Sequence, residues 1–367
     1  MRSCAMTFRT YSYRIYPGKG ERQKIESLLD RADDAFDRLC KDAYPCASCS
    51  GDAELVREYI KDYDFNNAVS HAAGEGIKRS AEKVLLKLAD GKIDAIYPRN
   101  RKRTRRSVDV PLPSVNGKFV YISGIGKVEI VRHRPLPTGA RIFRTTLKAD
   151  ACGAEYYLDY GIYFEAQKEE AAAPDPKKAI GLDYAQNGLY VDSEGRNGEY
   201  PGFAALGKEK EAEILEKLSR CHYGSGRWKK YTQRLKKLEK HIRNQREDWQ
   251  YKRAKLLSES YDLICHEHLN FEEMKKENPL LSPKIADNKW NDFRKKLEDK
   301  MQIRGKYLIE APKYYPSSQI CSACGYRAGK QPLDVRTFVC PSCGIEIDRD
   351  VNAAINLKNI GVELIAA

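Results

Sequence analysis

The residues from Arg9 to Tyr16 alternate aromatic or apolar with polar side chains and stop at Pro17-Gly18, a pattern that predicts a short strand. Behind it, Ile25, Leu28, Leu29, Ala32, Ala35, Phe36 and Leu39 fall on one face at helical spacing, and a second helical pattern runs from about Asn66 to Leu88. The stretch from about 20 to 95 is therefore expected to be helical. From Lys118 to about Glu165 the period drops to two. FVYISGIG, KVEIVRHRPL, ARIFRTTLKAD and EYYLDYGIYFEA are β-rich pieces separated by Gly, Pro and Asp turns, the pattern of a small barrel. Together with the first strand they would form one unit into which the helical region is inserted.

Ala171-Ala172-Ala173-Pro174-Asp175-Pro176 reads as a linker, and a second domain is expected after it. There, Ala179 to Asp183 is a buried type of strand ending in a carboxylate and followed by the hairpin-like YAQNGLYVDSEG. Two helices flank the turn Tyr223-Gly224-Ser225-Gly226, the longer from Arg227 to about Ser258. Tyr261 to Leu269 is another apolar strand, and Asp350 opens a helix whose Ala353 and Ala354 allow close packing on a sheet.

Charge adds a partner to this picture. Lys plus Arg number 65 against 52 Asp plus Glu, a net charge of +13 and a pI near 9.1, which favours a polyanion. The densest basic run covers Arg99, Arg101, Lys102, Arg103, Arg105 and Arg106 and reads as a phosphate-contacting loop, with a solvated loop as the plainer reading. Arg227, Lys229, Lys230 and Arg234 crowd the start of the long helix, as a strut along a nucleic-acid backbone would require. No stretch reaches the ~18 apolar residues of a membrane span and Met1 to Thr10 lacks an apolar signal core, so the expectation is a cytoplasmic chain with no membrane partner. There its 11 cysteines would be thiols, and paired ones metal ligands.

Cys321-x-x-Cys324 and Cys340-x-x-Cys343 are two knuckles separated by fifteen residues, the spacing of a ribbon holding Zn²⁺ on four thiolates. Such a closed site leaves no position for water, so its role is structural. Cys40, Cys46, Cys49 and His71 could hold a second zinc, or could be core thiols without one. Asp183, Glu267 and Asp350 stand at two strand ends and a helix start. Carboxylates so placed can converge on one sheet edge and bind Mg²⁺ for phosphodiester hydrolysis. Each alone has a plainer reading: an N-cap for Asp350, a surface residue for Glu267. His266 and His268 alternate with Glu267 and should point together, away from it. Glu346 and Asp348 are expected to face solvent.

The order GLDYAQNGLYVDSEG, a basic helical pair, ICHEHLNFEEM, PSSQICSACGY and FVCPSCGIEIDRDVNAAINL resembles TnpB, the family of RNA-guided nucleases encoded by insertion sequences. YRIYP, the YPRNRKR loop and KVEIVRHRPLP are also similar to that family's wedge and recognition regions. The resemblance implies an α/β plus β-barrel architecture: a wedge barrel over 1–20 and 96–172, a helical recognition insertion over 21–95, an RNase H-like (RuvC) nuclease over 173–318 and 345–367, and a zinc ribbon over 319–344. It implies that Asp183, Glu267 and Asp350 bind catalytic Mg²⁺, and that guide RNA and double-stranded target DNA are the partners. A miniature type V CRISPR effector has the same chemistry, and a guided repressor would bind without cutting. One departure is Ala185, where many relatives carry a glycine two residues after the first aspartate.

Overall fold

The computed structural model describes residues 4–50, 52–93, 95–96, 106–150, 155–167, 173–185, 187–277, 282–329 and 335–366. The chain divides into two compact units, 6–166 and 167–367, the second taking the first five residues as well.

In the first unit β1 (Cys4–Tyr16) is followed by three helices, α1 (Lys19–Ser50), α2 (Ala53–Asp62) and α3 (His71–Ala89). Six strands follow: β2 (Arg106–Val110), β3 (Ser114–Asn116), β4 (Phe119–Ile122), β5 (Gly126–Val131), β6 (Arg141–Ala149) and β7 (Tyr156–Gln167). Among the described residues the expected barrel is a seven-stranded sheet in the order β2-β6-β7-β1-β5-β4-β3, so β2 and β3 are its two ends. Five of its neighbouring pairs have antiparallel register. The apolar face of α1 is the one its spacing predicts, with Ile25, Leu29, Ala32, Ala35, Phe36 and Leu39 buried in the core.

Cys40 and Cys46 sit within α1, Cys40 in the core and Cys46 packed against it. A thiol on an apolar helix face fills core space as a small hydrophobe does. The Cys49 side chain is outside the described residues. The reading of Arg106 changes. Its Nε, Nη1 and Nη2 reach Asp33 (2.8 Å), Glu26 (2.9 Å) and Asp30 (2.7 Å), and its side chain is only 11% exposed. Carboxylates at positions i, i+4 and i+7 form one column on α1, and a planar guanidinium spans it. Arg106 thus serves the fold, whereas Arg99, Arg101, Lys102, Arg103 and Arg105 lie outside the described residues.

The second unit opens with the hairpin β8 (Ala179–Ala185) and β9 (Leu189–Asp192), then α4 (Phe203–Ser219) and α5 (Gly226–Ser260). Next come β10 (Leu263–His266), α6 (Phe271–Glu277), α7 (Ser282–Asn288), α8 (Trp290–Ile303) and β11 (Tyr307–Glu310). The short hairpin β12 (Thr337–Val339) and β13 (Glu346–Asp348) leads directly into α9 (Arg349–Ala366). The sheet order is β11-β10-β8-β9, with β10 parallel to both β8 and β11 and only β9 antiparallel. Parallel strands are buried on both faces and read as apolar runs, as Leu263 to His266 does. The backbone of α9 presses on β8 so closely that a Cβ on Gly181 would lie 1.9 Å from the Ala354 carbonyl oxygen. Gly181 is small because nothing larger fits there, and Ala353 and Ala354 are buried beside it.

Candidate active site

The β8–β10 register aligns Gly181 with Cys265 and Leu182 with His266, so the next pair along the strands is Asp183 and Glu267, on neighbours about 4.8 Å apart. The close approach of Gly181 to Ala354 brings in the third acid. Asp350 is four residues before Ala354, about 6 Å along the helix, and Asp183 is two residues beyond Gly181, about 6.6 Å along the strand. The two carboxylates therefore arrive at the same level, and the three acids meet at one end of the sheet.

Electrostatics report the same convergence. Burial holds the Asp183 carboxyl well above the usual carboxylate range, and the charges of Glu267 and then Asp350 push it further. Burial likewise pushes Glu267 up to about 7, opposed by the Tyr184 N–H, which donates to Glu267 Oε1 at 3.0 Å, and helped by Asp350. Carboxylates that repel one another in a desolvated pocket are the donor set that divalent cations stabilise, so the residues fit Mg²⁺. Among the described residues only the four cysteines have all their ligand atoms within 4.8 Å of one another. The three carboxylates do not close on one another to that distance.

Asp350 is not the helix cap. Asp348 accepts from the N–H groups of Asp350 (2.9 Å) and Val351 (3.1 Å), which leaves the Asp350 carboxylate free to face Asp183, with Arg336 at 3.6 Å on its outer side. Asp348 is exposed as expected, but its work is to cap α9. His266 is buried with Nδ1 2.8 Å from the Glu267 carbonyl, and His268 Nδ1 is 2.9 Å from Glu310, so both rings are engaged elsewhere.

The four cysteines form a cluster that could hold a metal ion. Sγ atoms of Cys321 and Cys343, and of Cys324 and Cys340, are 3.6 Å apart, too long for a disulfide and close to the ~3.8 Å edge of a tetrahedron with 2.3 Å zinc–sulfur bonds. The two knuckles repeat one geometry. Gly325 and Gly344, both left-handed, donate at 2.9 Å to the carbonyls of Cys321 and Cys340. Phe338 is fully buried beneath them.

Sequence reasoning missed the two asparagines that join this module to α9. Asn352, fully buried, donates Nδ2 to the Ile320 carbonyl (2.7 Å) and accepts from the Ser322 N–H (2.9 Å). Asn356 donates to the carbonyls of Ser317 (2.8 Å) and Ile320 (2.7 Å). The available signal was a pair of weak helix formers at i and i+4 in the otherwise apolar stretch from Val351 to Leu357, which implies buried hydrogen bonds. Glu267, Asp183 and Asp350 are thus fixed by strand register, helix packing and a ribbon that abuts α9.

At the start of α5, Ser225 caps Trp228 N (3.2 Å), and Arg227, Lys229, Lys230 and Arg234 are all exposed. They present positive charge at a helix N-terminus, whose dipole has the same sign. No helix among the described residues is long and apolar enough to cross a membrane.

Comparison with known proteins follows these features closely. Residues 162–278 match the family model described as "Probable transposase" (OrfB_IS605), and residues 290–357 match "Cas12f1-like, TNB domain". A protein of Streptomyces pristinaespiralis with the provisional name RNA-guided DNA endonuclease is 29% identical over 271 residues, covering 72% of this chain and 66% of that protein. InsQ of Escherichia coli (strain K12), provisionally named in the same way, is 25% identical over 292 residues, 74% of this chain and 70% of its own. The TnpB-like protein L79 of Acanthamoeba polyphaga mimivirus is 28% identical over 160 residues, 42% of this chain and 30% of that protein. The fold is that of the protein in a Cas12f1-sgRNA-target DNA complex, with a TM-score of 0.62 at 13% identity over 96% of this chain and 99% of the other. The transposase model spans β8 to β10, the second model spans the ribbon and the start of α9, and together with the curated relatives they make this chain similar to the TnpB family of RNA-guided endonucleases.

Proposed function

We propose that this chain is an RNA-guided DNA endonuclease of the transposon-associated TnpB type, which hydrolyses target DNA at Asp183, Glu267 and Asp350. The observation that carries the reading is the half-buried meeting of three carboxylates at one end of the β8–β10 pair, where Asp183 and Glu267 are each pushed up by burial and by the charge of Asp350. In this reading β8–β11 and α9 are the RNase H-like (RuvC) core, residues 173–318 and 345–367, interrupted by the zinc ribbon 319–344. The seven-stranded sheet is the wedge, 1–20 and 96–172, and α1–α3 the recognition insertion, 21–95. The names of the curated relatives support guide RNA and target DNA as partners.

Two Mg²⁺ ions in this cradle would polarise an attacking water and stabilise the leaving oxygen of a scissile phosphate. The protein's own part is to hold the ligands. Asp183 stands between the other two acids, the Tyr184 N–H fixes one oxygen of Glu267, and the capped start of α9 fixes Asp350. Cations bound here would compete with protons for Asp183 and Glu267, whose carboxyls burial and mutual repulsion hold above the usual range. Cys321, Cys324, Cys340 and Cys343 would hold Zn²⁺, which would keep the ribbon folded against α9. Arg227, Lys229, Lys230 and Arg234, with the basic run Arg99 to Arg105, supply sequence-independent phosphate contacts.

The test is sequencing of RNA that co-purifies with the protein, then plasmid cleavage by Asp183→Ala, Glu267→Ala and Asp350→Ala. Each variant should abolish cutting and retain RNA, because emptying a metal site leaves the phosphate-binding side chains in place. A variant that cuts at the normal rate removes that residue from the site.

A further inference from the structure

The first unit holds a cavity of about 580 Å³ that neither the acids nor the cysteines use. Its walls include Tyr13, Leu112, Pro113 and Tyr160, and the exposed Arg132 and Arg134 also line it, Arg132 donating to the Gly117 carbonyl at 3.1 Å and Arg134 lying over the Tyr11 ring; no carboxylate lines it. Tyr13 and Tyr160 are buried, with ring centroids 5.8 Å apart and planes at 62°. Tyr13 donates its hydroxyl to the Arg134 carbonyl at 2.9 Å. The Tyr160 hydroxyl has no hydrogen-bond partner although the residue is only 3% exposed. A buried polar atom left unpaired is costly, and natural proteins retain one mainly where something else completes it.

The lining defines what would complete it. Apolar and aromatic walls suit a flat uncharged ring, the Tyr160 phenol suits a hydrogen-bonding edge on that ring, and two exposed arginines suit an attached anion. Burial pushes the Tyr160 phenol up to about 12, so it remains a donor throughout the neutral range.

We propose that this cavity receives one extruded nucleotide, with its base against Tyr13 and Tyr160 and its phosphate at Arg132 and Arg134. The proposal rests on the nucleic-acid reading above and adds to it a pocket that grips a single unstacked base. Aromatic walls serve any base, so the pocket fixes the position of a strand and leaves sequence to base pairing.

The experiment is ultraviolet crosslinking of the purified protein–RNA complex, with and without target DNA, read by mass spectrometry. The expected result is a nucleotide adduct on Tyr13 or Tyr160, its mass distinguishing a ribonucleotide of the guide from a deoxyribonucleotide of the target. Tyr160→Phe should weaken retention of that strand about tenfold, the worth of one buried hydrogen bond. It should leave the melting temperature of the nucleic-acid-free protein unchanged or raised, because the orphaned hydroxyl is a cost there. Leu112→Trp, at a rim position 62% exposed, should block the mouth and remove the adduct without threatening folding. Absence of the adduct, or a Tyr160→Phe variant that melts lower and binds normally, overturns the pocket. Cleavage retained in that same preparation would show that the nuclease reading survives the loss.

Discussion

Asn352 offers the sharpest test of the idea that the zinc ribbon sets the position of Asp350. The residue lies two positions after Asp350, has no exposed surface, and makes two hydrogen bonds to the first knuckle. Asn352→Ala removes both. The Ile320 carbonyl keeps its bond from Asn356 at 2.7 Å, so the loss there is about 1 kcal/mol, whereas the Ser322 N–H loses the amide oxygen at a cost of about 1–3 kcal/mol. The sum, roughly 2–4 kcal/mol, shifts the docked-to-undocked ratio of the ribbon by about 30- to 1,000-fold. Zinc release to a competing chelator should quicken. The Mg²⁺ concentration for half-maximal cleavage should rise several-fold, since an ion must then also gather a ligand that the wild type presents in place. Both quantities can be measured on one preparation of protein and guide RNA. Unchanged zinc release together with an unchanged Mg²⁺ requirement would refute the coupling.

Three further expectations follow from the same geometry. Because the folded Glu267 carboxyl titrates near 7 against an ordinary 4.5, its contribution to the stability of the Mg²⁺-free protein is present below pH 4.5 and is lost as pH rises through 7. Mg²⁺ must displace that proton, so its affinity should be about tenfold weaker at pH 6 than at pH 8 by calorimetry; a flat profile would contradict the assignment. Cys340→Ser should abolish stoichiometric zinc in atomic absorption and unfold the β12–β13 hairpin, and a variant that kept one zinc per chain would show that the ligand set is wrong. Replacing Arg227, Lys229, Lys230 and Arg234 with Gln should flatten the salt dependence of nucleic-acid binding, by about 0.7–0.9 in log–log slope for each phosphate that is no longer neutralised; an unaltered slope would make α5 a bystander.

The amino-acid sequence by itself determined the local elements whose signals are local. Apolar residues at helical spacing built the buried face of α1, and two CxxC knuckles fifteen residues apart built a four-cysteine cluster. Small residues in α9 foretold its close seat on a sheet, because side-chain volume limits how near two backbones come. Only the tertiary structure decided which charged residues face one another. Arg106 belongs by sequence to a basic run, yet a column of acids on α1, more than seventy positions earlier, claims its guanidinium. Asp350 could have been a helix cap until Asp348 was seen in that role, and the Asn352 link to the ribbon exists only once α9 is docked. The reason is physical: periodicity and spacing act through neighbours along the chain. The partner of a charge or an amide is chosen by packing that brings distant segments within about 3 Å, and no window on the sequence contains that choice.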